Sequence, residues 1–140
     1  MRDRGRPVMD ANVEAFLTQH HQAVMVTLKQ DGTPHVARVL AGLVDGRVWS
    51  SGTQTRVRTK HLRRDPRATL FVFGADRQEW LGLETTVTIL DGSDAVDHNL
   101  ALYRALVGKD PDDLDEYRQA MVDEQRLIYE FDVRRAYGQY

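Results

Sequence analysis

Two Asp-Gly pairs restrict the fold of this chain most, because each predicts a tight turn between neighbouring strands. Asp31-Gly32 and Asp45-Gly46 supply the positive-φ positions that short hairpin turns need. A nearly unbroken apolar run at 23–28 precedes the first pair, and strand-like segments at 35–43 and 47–51 follow. Because 23–28 is so uniformly apolar, we expect both faces of that strand to be buried. Strands joined by such turns favour an antiparallel barrel over a parallel sheet.

Periodicity and cap residues indicate the remaining elements. Further strands are predicted at 68–73, 80–90 and 127–133, and helices at 12–20, 56–64, 93–108 and 111–123. The first helix begins at a cap of Asp10 or Asn12, the third at Ser93, and the fourth at Pro111 or Asp112. The expected fold is therefore mainly β, a six-stranded antiparallel barrel with peripheral helices.

Length and composition exclude several classes of protein. A chain of 140 residues predicts one domain, which we assign to 10–140, preceded by a flexible, polar N-terminal arm at 1–9. The sequence has no cysteine, no signal peptide and no apolar run long enough for a membrane span, which favours a cytoplasmic protein without membrane contact. A net charge of -2 argues against nucleic-acid binding.

A short basic segment at 56–67 is the strongest functional signal. It contains six Lys or Arg residues and one acid, Asp65, in a chain whose net charge is slightly negative. Such local concentration indicates an anion held at one place. The segment follows a predicted strand and a Gly52-Thr53 turn, and a helix that opens there offers free N–H groups to a phosphate. The dispersed histidines have no spacing typical of a metal site.

Several motifs in order resemble one known superfamily. They are Asp31-Gly32-Thr33-Pro34, the run Leu62-Arg63-Arg64-Asp65-Pro66-Arg67-Ala68, the segment Trp80-Leu81-Gly82-Leu83-Glu84, and Tyr117-Arg118 in the tail. Together they resemble the pyridoxamine 5′-phosphate oxidase-like split β-barrel superfamily, and within it the actinobacterial branch that uses the deazaflavin coenzyme F420. The resemblance covers nearly the whole chain after residue 10. It implies a split, FMN-binding-like barrel and a homodimer with cofactor sites at the subunit interface.

The resemblance also implies which residues hold the cofactor. Arg56 and Arg58 match positions that touch the phosphate-bearing tail, and Ser51 matches a position near the phosphate. The second strand should lie along the ring system, mainly through its backbone. The full set of expected cofactor contacts is Ser51, Arg56, Arg58, Thr59, Lys60, His61, His35, Val36 and Ala37, with Lys60 directed at the polyglutamate tail. No side chain is expected to be an obligatory catalytic acid or base. Thr85 replaces the glycine usual in the family, which adds bulk near the substrate pocket.

The implied activity is hydride transfer from reduced F420 to a small or medium-sized unsaturated molecule. Two alternatives remain open at this stage. An FMN-dependent oxidoreductase of the same fold would bind its phosphate at the same basic segment, and a non-catalytic protein could bind or carry F420.

Overall fold

The computed structural model describes residues 8–140, and the predicted N-terminal arm lies outside this range except for Val8 and Met9. Met9 packs against the main core, so the ordered fold begins before residue 10. Seven strands form the sheet: β1 Gln22–Leu28, β2 Pro34–Leu40, β3 Gly42–Val44, β4 Arg47–Thr53, β5 Arg67–Phe73, β6 Trp80–Leu90 and β7 Arg126–Gln139. Four helices accompany it: α1 Ala11–Gln19, α2 Val57–Arg64, α3 Ala95–Val107 and α4 Leu114–Asp123.

The strands form one antiparallel sheet in the order β2-β1-β5-β6-β7-β4-β3. The prediction of six strands was wrong, because the single strand expected at 35–43 is two strands. The chain turns a corner at the fully buried Ala41, whose N–H donates to the His21 carbonyl. Residues before this corner pair with β1, and those after it pair with β4. Ser50 Oγ of β4 donates to the Leu40 carbonyl at 2.7 Å, which joins the two ends of the curled sheet.

Both predicted Asp-Gly turns are present. Gly32 has a φ of 85°, and Asp45 and Gly46 have φ values of 51° and 76°. The left-handed region at two successive central residues is typical of a type I′ turn, which matches the twist of the flanking strands. Local turn chemistry therefore sets both hairpins.

The concave face of the sheet encloses the main core. Alternate residues of each strand point inward, and α1 adds its buried face with Asp10 accepting from the Val13 N–H as its cap. The expectation that β1 is buried on both faces was wrong. Ala23, Met25 and Thr27 are fully buried, whereas the opposite face of β1 is only half-buried. The reason is that, among residues 8–140, the one helix with several contacts to β1 is α2, which meets its inner side where His61 bonds to Thr27.

Helix α3 covers only one part of the outer face. It packs on β3, β4 and β7 and forms a second small core with Trp49, Leu102 and Ile128. Its N-cap is Asp94 rather than the predicted Ser93, and neither side chain caps a backbone N–H there. The predicted end at Gly108, with a φ of 83°, is present. The fourth helix begins after Asp113, later than predicted, because the Asp113 carboxylate accepts from the Glu116 N–H.

Strand β7 is longer than predicted and holds the C-terminal aromatic residues. It continues to Gln139, so Tyr137 lies within the sheet rather than in a loose tail. Tyr137 fills the space left by Gly82 on β6, where a Cβ would lie 2.6 Å from its ring. Its ring also meets Trp80 edge to face at 5.8 Å between centroids.

Candidate functional site

Helix α2 starts directly after β4 and leaves its first turn open to a ligand. Arg56 is the N-cap residue, and no side chain caps the first N–H groups. The first turn carries no acid, although acids are the side chains that helix N-termini prefer. The missing cap and the missing acid are what an anion would replace. Arg56 itself is exposed and lines a pocket of about 560 Å³ with Thr53, Thr55 and Arg126. The acids Asp123 and Glu124 also line this pocket, and Glu124 is paired with Arg126.

Arg58 is the most unusual cation of the helix. Its guanidinium lies over the Tyr129 ring at 5.7 Å from the centroid. Its Nε is buried and has no hydrogen-bond partner among the described residues. Burial lowers the pKa of Arg58, and the neighbouring Arg56 and Arg126 lower it further, while Tyr129 opposes the shift. A half-buried guanidinium with an unused donor and two like-charged neighbours is chemically matched to a phosphate.

A chain of hydrogen-bonded hydroxyl groups holds the Tyr129 ring, over which the Arg58 guanidinium lies. Thr59 Oγ1 donates its only hydrogen to the Thr53 carbonyl at 2.7 Å, so the Tyr129 hydroxyl donates to Thr59 Oγ1 at 2.5 Å. Gly52 makes room for this arrangement, because a Cβ there would lie 2.3 Å from the Tyr129 Cζ and hydroxyl oxygen. Thr59 is fully buried, so its side chain positions the helix and is not free to bind a cofactor.

Ser51 points away from this cluster. Alternation along β4 directs Ser51 to the outer face with Trp49, where α3 packs, while Gly52 faces Tyr129 inside. Ser51 Oγ donates to Asn99 Oδ1 at 2.5 Å. The Ser51 hydroxyl therefore lies on the α3 side of the sheet, and its predicted contact with the phosphate stays a prediction.

His61 and His35 meet at the other end of α2. His61 is 9% exposed, and its Nδ1 shares a hydrogen bond of 2.9 Å with Thr27 Oγ1. His35 lies opposite Thr27 in the β1–β2 register, and its ring meets the His61 ring edge to face at 5.1 Å. Helix α2 thus spans the opening of the barrel, from Tyr129 on β7 to Thr27 on β1.

The remaining predicted residues differ in their exposure and direction. Ala37 shares the inner face of β2 with His35, whereas Val36 points to the outer face and is 61% exposed. Lys60 is exposed to solvent. β2 is an edge strand, so one side of its backbone is available to a ring system, in line with the expected backbone contacts.

Thr85 has a structural role that the sequence did not indicate. It is buried, and its Oγ1 donates to the Ala68 carbonyl at 2.7 Å beside a register shift between Glu84 and Thr85. It also contributes to a groove of about 390 Å³ on the outer face, which Val26, Leu28 and neighbouring polar residues line.

Two residues at the site were not predicted. Tyr129 lies in the predicted strand at 127–133, whose alternation indicates an ordinary core position, and Arg126 lies just before that strand without an assigned role. No local signal identifies Tyr129, because its partners Thr59 and Arg58 lie about 70 positions away in sequence. Arg126 is held by the Glu124 carboxylate at 2.7 Å.

We expect His61 to make the stability of the protein fall in mild acid. Burial lowers the pKa of His61 below its ordinary value of 6.5, and His35, Arg64 and Lys29 lower it further. The unfolded chain therefore binds more protons below about pH 6.5, so this stability is present above that pH and is lost as the pH falls through the folded pKa. Urea unfolding between pH 8 and 5 should show a smaller decline for His61→Gln, whereas His20→Gln at the end of α1 should keep the full decline. Equal declines in all three proteins would contradict this role.

The part of the chain that the structure describes has neither a cluster of metal ligands nor a helix that could span a membrane. Residues 8–140 contain no group of three or more potential metal ligands. None of the helices within that range has the length and apolar character needed to cross a bilayer.

Structural relatives share the fold at low sequence identity. A conserved hypothetical protein, Rv2991, from Mycobacterium tuberculosis is 20% identical with a TM-score of 0.78, over 97% of this chain and 88% of that one. A protein named F420 reductase is 16% identical with a TM-score of 0.67, over 90% and 96%. A heme binding protein from Mycobacterium smegmatis is 17% identical with a TM-score of 0.70, over 96% of this chain and 56% of that one. These similarities show the fold, and the two names that mention a cofactor, F420 and heme, differ.

A family model identifies the chain more directly. The model described as pyridoxamine 5′-phosphate oxidase matches residues 9–140, which is nearly the entire sequence. The matched residues include the open start of α2, the half-buried Arg58 and the curled antiparallel sheet that positions them. The chain therefore belongs to the pyridoxamine 5′-phosphate oxidase family, within the split-barrel superfamily of flavin- and deazaflavin-binding proteins.

Proposed function

We propose that this protein is a cytoplasmic, dimeric oxidoreductase that uses reduced F420 to reduce a small or medium-sized unsaturated molecule. The observation that carries the proposal is the buried Nε of Arg58, which has no hydrogen-bond partner within residues 8–140 and lies beside Arg56 at the uncapped start of α2. An anionic phosphate supplies the missing acceptor for Arg58 and the missing negative charge for the helix. The F420 reductase of the same fold adds support for the deazaflavin.

The residues have distinct roles in this proposal. Arg56 and Arg58 bind the phosphate, while Thr59 and Tyr129 hold Arg58 in position. The edge backbone of β2 at His35–Ala37 orients the ring system, and Lys60 reaches toward the polyglutamate tail. When bound, the reduced deazaflavin would supply a hydride, and the proton that completes the reduction would come from solvent. The protein orients the substrate beside the cofactor and limits the access of water.

Two other functions fit the same phosphate seat, a name that we give to Arg56, Arg58 and the uncapped start of α2. An FMN-dependent oxidoreductase would present an equivalent phosphate to Arg58, and the chain belongs to a family named for a flavin-type oxidase. A carrier that binds F420 without turnover would use the seat in the same way. The three functions differ in the ring system that is bound and in whether a substrate is reduced. The test must therefore vary both the cofactor and the acceptor molecule.

A side-by-side titration with F420 and FMN, followed by fluorescence and calorimetry, tests the proposal. Tight F420 binding with weak FMN binding supports the deazaflavin, and the reverse supports the flavin alternative. Turnover of unsaturated acceptors by the reduced complex then separates an enzyme from a carrier. If neither cofactor binds, the proposal is wrong.

An uncovered apolar surface supports the dimer. The outer face of β1, β2, β5 and β6 carries Val36, Leu40 and Phe73, which are 61%, 53% and 46% exposed. Phe71 and Trp80 stack there at 5.2 Å between centroids. In the described residues no helix packs extensively on this surface. Exposed apolar side chains gathered on one face, here with the exposed Arg38 between Val36 and Leu40, are typical of an interface. A second copy would both cover them and enclose a cofactor at the edge strand β2.

A charged side chain introduced on this surface should therefore dissociate the dimer. We expect the wild-type protein to sediment as a dimer and Phe73→Glu to sediment as a monomer, because a carboxylate cannot be buried there unpaired. Val122→Glu is the matched control, since Val122 is 58% exposed on α4, outside this surface. A monomeric wild-type protein, or a Phe73→Glu variant that remains dimeric, would contradict the proposed interface.

A further inference from the structure

Four basic side chains from three elements surround one end of α2. His61 and Arg64 belong to α2, Lys29 follows β1, and His35 belongs to β2. The His35 ring meets the His61 ring edge to face, and the Arg64 guanidinium donates to the Leu28 carbonyl at the end of β1. His61 is the buried floor of this group, and the other three reach solvent. We call these four residues the basic corner.

Two carboxylates lie near the basic corner, and neither forms an ion pair with it. No ion pair within 8–140 joins any of its four members to a carboxylate. The Asp31 carboxylate accepts from the Thr33 hydroxyl and N–H in its own turn; these bonds, and then the charge of Lys29, lower the pKa of Asp31. The Asp65 carboxylate is bound by Arg67, and the charge of Arg64 adds to the lowering of its pKa. The counter-charge is therefore partial, and a bound anion relieves the repulsion that remains among the cations.

The basic corner is separate from the phosphate seat but shares its helix. Arg58 and His61 are three residues apart and so lie on neighbouring positions of one helix surface. Arg58 faces Tyr129 on β7, whereas His61 faces Thr27 on β1. A ligand at the edge of β2 would therefore have cations at both ends of α2.

We propose that Lys29, His35, His61 and Arg64 form an oxyanion site that binds the carboxylate of the substrate. This inference rests on the proposed function, and it narrows the substrate class to an unsaturated carboxylic acid. Lys29, His35 and Arg64 contact the carboxylate directly. His61 acts through His35 as a positioning residue and takes up a proton when the anion arrives.

Proton uptake follows from the surroundings of His61. Thr27 of β1, His35 of β2, and Lys29 and Arg64 face His61, and none of them is an acid. Burial, and then these cations, hold the pKa of His61 below its ordinary value in the free protein, which disfavours its protonated form. A carboxylate beside them opposes the cationic field and raises that pKa again. Affinity for the anion should therefore rise as the pH falls from 8 toward 6.

A matched pair of probes tests the site. Crotonate is a small unsaturated carboxylate, and crotonamide has the same shape without the charge. We expect crotonate, at constant ionic strength, to move the imidazole NMR titration of His61 to higher pH, and crotonamide to leave it unchanged. Equal responses to both probes, or no response to crotonate, would overturn the proposal.

Substitutions of the exposed members of the basic corner distinguish a specific carboxylate site from a general effect of positive charge. Arg64→Gln and Lys29→Gln should each weaken crotonate binding about tenfold, the effect of losing one charge-assisted hydrogen bond. Arg63→Gln is the control, because Arg63 lies on the same helix but pairs with Asp91 at 3.0 Å. Equal weakening by Arg63→Gln would overturn the proposal, because the effect would then be nonspecific.

The NMR readout separates this inference from the proposed function. If F420 does not bind but crotonate still moves the His61 titration, the oxyanion site is supported and the deazaflavin function is wrong. If F420 binds and crotonate has no effect on His61, the function stands and the oxyanion site is wrong.

Discussion

Arg58→Ala should weaken the binding of F420 by about 1.5–3 kcal/mol, which raises Kd roughly 10- to 150-fold. Arg58 combines a buried Nε that lacks a partner with a guanidinium held over Tyr129. Its donors are already oriented, so little side-chain entropy is lost when a phosphate binds. Fluorescence titration of the purified variant measures the loss.

Arg63→Ala is the control for this result. It removes the same side chain from the same helix, but Arg63 is exposed and bound to Gln54 and Asp91. We expect it to leave F420 affinity unchanged. Arg58→Lys should recover part of the lost affinity, because an ammonium restores the charge without the paired donors. Wild-type affinity in Arg58→Ala would put the phosphate seat elsewhere.

Gly52→Ala should lower the free energy of unfolding by about 2–3 kcal/mol. The new Cβ would lie 2.3 Å from the Tyr129 hydroxyl, a distance that no real packing allows. Tyr129 is fully buried and cannot move without breaking its hydrogen bond to Thr59. Urea denaturation measures the loss, and F420 titration of the folded variant should show weaker binding, because the displaced ring no longer supports Arg58.

Gly92→Ala is the matched control for this substitution. A Cβ at Gly92 meets nothing within 4 Å, and its backbone does not require a positive φ. Its stability should stay within about 0.5 kcal/mol of the wild type, as is usual for a surface change. A Gly52→Ala variant as stable as Gly92→Ala would mean that Tyr129 is free to adapt, and that the hydroxyl chain does not hold Arg58.

These two predictions depend on one structural feature, the position of α2 across the opening of the barrel. The helix is attached to β7 through Thr59 and Tyr129, and to β1 through His61 and Thr27. Both attachments use buried polar groups whose hydrogen bonds are specific in direction. The cations on α2 are therefore fixed relative to the edge strand β2, which is a condition for orienting any bound ring system.

Local patterns in the sequence were sufficient for most of the elements and for the location of the basic helix. Asp31-Gly32 and Asp45-Gly46 predict their turns because a positive φ is a property of the residues themselves. The basic segment at 56–67 predicts an anion seat because charge density and the preceding strand are visible in a short window. Strand alternation also predicted the inward face of β7.

The tertiary structure alone determined how the site is assembled. Tyr129 reads as a core residue in its strand, and it becomes the support of Arg58 only because β7 pairs with β4 in one register. The same register turns Ser51 toward Asn99, away from the phosphate seat. The corner at Ala41, which makes seven strands from an expected six, likewise follows from a contact with His21. Long-range pairing sets which side chains meet, and it depends on the packing of the entire sheet rather than on any single segment.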